Sequence, residues 1–77
     1  MMGRSQAFTL TMLATSHLRQ GDLDHGIQVG QQALRAASAM KSKRVIDRLK
    51  PLEIEAVRQS TNPDSRELAD LARQYLR

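Results

Sequence analysis

No cysteine occurs in this sequence, which excludes disulfide staples, thiolate nucleophiles and zinc sites built on cysteine. Aromatic side chains are almost as scarce: Phe8 and Tyr75 are the only ones, and tryptophan is absent. A core must therefore be assembled from Leu, Ile, Val, Met and many alanines, which suits helices packed on helices better than strands. No apolar run approaches the ~20 residues that span a bilayer. The opening stretch "MMGRSQAFTLTMLATS" is only weakly apolar and is interrupted by Thr9 and Thr11. It lacks a small-x-small cleavage site, so it reads as mature sequence and the protein as cytoplasmic, with no membrane partner.

With 77 residues the chain forms one small domain, spanning 1–77. A chain of this size buries only about 60% of its unfolded surface, so its stability is marginal. Its net charge of +4 is local. Segment 41–50, "KSKRVIDRLK", contains Lys41, Lys43, Arg44, Arg48 and Lys50 against the single acid Asp47. Elsewhere seven arginines balance seven acids.

The periodicity predicts an all-α fold of two antiparallel helical hairpins, four helices in all. A first helix over residues 5–20 turns Ala7, Leu10, Leu13, Ala14, His17 and Leu18 to one face. Gly21 then supplies a left-handed stop and Asp22 a cap for the second helix. That helix, residues 23–40, has its apolar stripe at Leu23, Ile27, Leu34, Ala37 and Met40. Ser42 is the expected cap of a third helix with Val45, Ile46, Leu49, Leu52, Ala56 and Val57 inward. Pro51 cannot donate to the carbonyl of Asp47, so a kink or a break is expected near that turn. Asn62 as cap, Pro63 at the first position and acids at Asp64 and Glu67 start a fourth helix. Its expected inner face is Leu68, Leu71, Ala72, Tyr75 and Leu76, packed on the third helix.

Three of the four glycines fall in "GDLDHGIQVG", residues 21–30. A phosphate-binding loop needs a preceding strand and glycines clustered at a helix start, and neither is present. Gly26 and Gly30 have the four-residue spacing of paired membrane helices, but the flanking Asp22, Asp24, His25 and glutamines exclude a bilayer. The spacing continues into Ala33 and Ala37. This strip of small residues lets a neighbouring helix approach closely, and a large residue at Gly26 is expected to disrupt the hairpin.

Leu13, Ala14 and His17, the turn Gly21-Asp22, and Gly26, Gly30 and Ala33 resemble the tetratricopeptide repeat. That family is a helix–turn–helix unit of about 34 residues with small residues where its helices cross. The resemblance covers residues 6–40. His17 and Gly30 stand where the family places aromatics, and Ser38 where it closes with proline. The tail "SKRVIDRLKPLEIEAV", followed by "ELADLARQYL", resembles the C-terminal end of tetratricopeptide-containing helix-turn-helix (Xre/Cro-type) transcriptional regulators of actinobacteria. The resemblance implies a right-handed superhelical fragment, with 5–40 as a repeat hairpin and 42–76 as closing helices. It also implies a regulatory module for binding a protein or peptide, here without the DNA-binding domain.

Two surfaces qualify as binding sites. The first helix has no preceding repeat to cover its far side, so Phe8, Met12 and Leu13 are the expected contacts for a partner or for self-association. Lys43, Arg44, Arg48 and Lys50 are an alternative site for nucleic acid, opposed by Asp47 and by the shortage of aromatics for stacking. No catalytic, cofactor or metal site is expected. His17 and His25 lack zinc-ligand spacing with a carboxylate, Ser16 and His17 point apart on a helix, and Glu53 and Glu55 diverge.

Overall fold

A computed structural model of the chain describes residues 3–76. Met1, Met2 and Arg77, which the single-domain span includes, lie outside them, as do the side chains of Arg4 and Ser5. The chain is all-α, with helices α1 (Gly3–Arg19), α2 (Leu23–Met40), α3 (Lys43–Asp47), α4 (Lys50–Arg58) and α5 (Pro63–Tyr75). Among the described residues there is no strand.

Of the kink or break expected near Pro51 the break is found: the third helix is two pieces, which makes five helices among the described residues. The break falls at Arg48 and Leu49, ahead of Pro51. There the backbone tightens to three-residue bonds, Arg48 N–H to Val45 O at 3.1 Å and Leu49 N–H to Ile46 O at 3.0 Å. Pro51 then stands in the first turn of α4, where its missing N–H has no intrahelical role. Leu49, at the bend, is fully buried.

The α1–α2 turn follows the expected chemistry at Gly21, whose φ is +86°. Gly21 N–H donates to Leu18 O at 3.0 Å and Asp22 N–H to His17 O at 2.9 Å. This pair of bonds is the Schellman closure of a helix end. Neither Asp22 nor Ser42 caps its helix through the side chain, contrary to expectation. Asp22 turns instead to two histidines. Asn62 does cap α5, accepting from Asp64 N–H at 2.9 Å and Ser65 N–H at 3.1 Å.

Helix α1 packs along α2, and α4 along α5; α1 then meets α4, and α2 meets α5. The last helix therefore rests on two helices rather than on the third alone. The strip Gly26, Gly30, Ala33 and Ala37 is buried as expected, but its glycines face different neighbours. A Cβ at Gly26 would stand 2.7 Å from Leu18 Cδ2 and 3.1 Å from the Leu18 backbone N, within the first hairpin. A Cβ at Gly30 would meet Leu68 Cδ2 of α5 at 2.7 Å. The groove at Gly30 is thus filled from the second hairpin.

The inner faces are rotated slightly from the expected stripes. Leu13 is 47% exposed, while Thr11 and Thr15 are buried in α1. Each threonine hydroxyl donates to the carbonyl four residues back, Ala7 O and Thr11 O, at 2.8 Å. Burial of these hydroxyls is therefore satisfied locally, and their polarity is no obstacle to an inward position. Val57 and Leu71 are likewise on the outside, and Glu55, Ser65 and Ala69 are buried in their helices. Ser65 Oγ donates to Ala56 O at 2.9 Å, which ties α5 to α4.

Candidate functional site

A groove of about 530 Å³ opens where α1 runs past the α3–α4 bend. One wall is the α1 face bearing Phe8, Met12, Ser16 and Arg19; Arg48 and Pro51 form the other. These α1 positions recur at four- and three-residue spacings, so they share one side of the helix. The break before Pro51 brings the opposite wall into place, since Arg48 leaves α3 at its C-cap.

Of the residues expected to meet a partner, Phe8 and Met12 line this groove and Leu13 does not. Leu13 sits about 100° further round α1 than Met12, as consecutive helix positions must. Phe8 is half-buried, and Met12 is 72% exposed. Thr11, Thr15, Ser16, Arg19 and Pro51 also line the groove. The helical register of Phe8 and Met12 was the available signal for those on α1. Nothing in the sequence announced that Pro51 would face them.

Lys43, Arg44, Arg48 and Lys50 are all exposed. Arg48 lies with its guanidinium carbon 5.5 Å from the centroid of the Phe8 ring, within cation–π range. The two sites expected separately, around Phe8 and around Arg48, therefore meet at one place.

Ion pairs tie down other charges. Glu55, 6% exposed, has Arg19 Nε at 3.4 Å and Arg58 Nη1 at 3.6 Å. Glu53 pairs with Arg73 Nη2 at 3.4 Å, so the two carboxylates do diverge. No carboxylate among the described residues lies within ion-pairing distance of Arg48.

A separate polar cluster closes the α1–α2 turn. Asp22 Oδ2 is 3.0 Å from His25 Nδ1 and 3.4 Å from His17 Nδ1, and the two imidazole centroids are 5.5 Å apart. The hydrogen bond from His25 holds the Asp22 carboxyl below the usual aspartate range, with desolvation acting in the opposite direction. Charge on His25 and His17 acts in the same direction as the hydrogen bond. Ser16 faces the groove while His17 faces Asp22, so the two do not form a nucleophile–base pair.

Among the described residues no group of three or more His, Asp or Glu side chains is arranged to hold a metal ion. No helix among them is long and apolar enough to cross a membrane. Comparison with known protein families, with curated proteins and with solved structures gives no match to this chain.

Proposed function

We propose that this chain is a non-enzymatic helical-repeat module of tetratricopeptide type, which binds a protein or peptide segment in the groove between α1 and the α3–α4 bend. The observation that carries this reading is the groove itself, an open channel with Phe8 and Met12 presented on a helix face. Helix order adds support. Two hairpins stacked first helix on first and second on second is the arrangement expected of successive repeats. We further propose that the module belongs to the regulatory C-terminal part of a cytoplasmic transcriptional regulator, on the resemblance of segments 42–57 and 67–76. In that setting the bound segment would act by favouring one packing of the repeats over another.

Binding of nucleic acid through segment 41–50 has less in its favour. Helix α3 has five residues, too short to lay a reading face along a major groove.

Selection of a random decapeptide display library on the immobilised chain tests the reading. Enriched peptides are expected to shift the amide resonances around Phe8, Met12 and Arg48. No enrichment on a folded chain, or shifts confined to the outer face of α5, would overturn it. Sedimentation of the chain alone separates self-association through α1 from capture of a different partner.

A further inference from the structure

Resting on the peptide-binding reading, we infer that the groove selects a segment in which an apolar side chain stands next to a carboxylate, and that Arg48 reads the carboxylate. The lining contains two arginines and no acid. Arg19 is already engaged by Glu55 at 3.4 Å. Arg48 has no such partner among the described residues.

Stacking on Phe8 makes the difference between a loose surface charge and a binding group. A free arginine must give up much rotamer freedom to hold a ligand. Here the guanidinium already rests over a ring, and a guanidinium carries its N–H donors in a planar fork. A carboxylate is the acceptor that matches this fork in two-point geometry. The exposed Arg44 and Lys50, four residues before and two after, add a positive field that draws an acidic segment toward the groove.

The rest of the channel asks for apolar contact. Met12 is the most exposed large apolar side chain among the described residues, and an unbranched thioether adapts to varied partners. Phe8 and Pro51 extend that surface. Thr11 and Thr15 add little polarity, because their hydroxyls already serve helix carbonyls. The complement is therefore one acid beside one or two apolar residues, not a highly charged strand.

The experiment is selection of the same decapeptide library on the wild-type chain and on Arg48→Gln, with the fold of each checked by circular dichroism. Wild type is expected to enrich peptides bearing Asp or Glu beside an apolar residue. Arg48→Gln should keep the apolar enrichment and lose the acidic one. For the most enriched peptide, replacing its acid by the amide should weaken binding to wild type about tenfold, as loss of a charge-assisted pair implies. Binding to Arg48→Gln should change little.

Apolar enrichment without acids would overturn the inference and leave the peptide-binding reading standing. An acidic preference that survives Arg48→Gln would overturn the assignment to Arg48. No enrichment of either kind would remove the peptide-binding reading as well. Displacement of the peptide by a short DNA duplex that still binds Met12→Ala unchanged would reassign the basic face to nucleic acid.

Discussion

Gly30 of α2 is the seat of Leu68 of α5: a Cβ built on the glycine would stand 2.7 Å from Leu68 Cδ2. Leu68 is 1% exposed, so a missing side chain in one hairpin accommodates a buried leucine from the other. The two hairpins are registered by this contact, and the glycine's cost in helix propensity, about 1 kcal/mol, is offset by burial of Leu68.

The two glycines of α2 should respond differently to alanine. At Gly30 the nearest atoms are the flexible end of Leu68, whereas at Gly26 a backbone nitrogen also lies at 3.1 Å. Gly30→Ala should therefore change stability by no more than about 1 kcal/mol, because improved propensity opposes mild overpacking. Gly26→Ala should cost roughly 1–3 kcal/mol, since the α1 backbone itself must move. Thermal unfolding decides: for a domain of this size each 1 kcal/mol is about 4–8 °C. Equal melting temperatures for the two variants would contradict the close approach at Gly26.

Helix capping gives a second contrast. Asn62→Ala removes the acceptor for two N–H groups of α5 and should cost about 1 kcal/mol, with Asn62→Asp largely neutral. Ser42→Ala removes no side-chain cap bond and should leave urea unfolding unchanged within a few tenths of a kcal/mol. A larger loss at Ser42 than at Asn62 would reverse this assignment.

Glu55 sets up a test of sign. Removing both of its partners, in Arg19→Gln with Arg58→Gln, leaves a buried carboxylate uncompensated and should lower stability. Both arginine side chains are mostly in solvent, so the loss should be modest, about 1 kcal/mol or so. Glu55→Leu should be neutral or stabilising, because apolar packing replaces a desolvated charge. The expected order in denaturant midpoint is Glu55→Leu at or above wild type, and the double arginine variant below. A midpoint for Glu55→Leu as far below wild type as that of the double arginine variant would mean that the Arg19–Glu55 pair itself holds α4 to α1.

Acid titration should expose Asp22. Its carboxyl is held below the ordinary value of 3.8, chiefly by the hydrogen bond from His25. A depressed folded-state pKa means that the ionised form favours folding. The contribution is present above the unfolded-state pKa and lost as pH falls through the lower folded-state one. Wild type should therefore be more stable than Asp22→Asn at pH 5, and the gap should close progressively below about pH 4. A gap that is constant down to strongly acid pH would show that Asp22 acts through geometry alone.

The α1–α2 turn, the cap at Asn62 and the all-α class were legible because each depends on residues close in sequence. Gly21 needs only its own φ, and Asn62 reaches only two and three residues ahead. The inner faces were legible to within a part-turn. Apolar periodicity marks the direction of burial, but it does not register threonines whose hydroxyls are satisfied by their own helix. Thr11 and Thr15 consequently took inward places that Leu13 was expected to hold.

The candidate groove is a different matter. Phe8 and Arg48 were each visible as candidates, the one for an uncovered helix face and the other for a basic run, but forty residues separate them. Their contact depends on how far the chain bends before Pro51 and on how α4 settles against α1. Gly30 repeats the lesson, since its small size was plain while its partner, Leu68, lies in a helix three elements beyond the first hairpin. Helix positions, the stop at Gly21 and the cap at Asn62 follow from local backbone chemistry that the order of residues carries, whereas the caps expected at Asp22 and Ser42 do not form. Which faces then meet is set by packing across the whole domain, where burial is shared among distant side chains and no local pattern encodes the pairing.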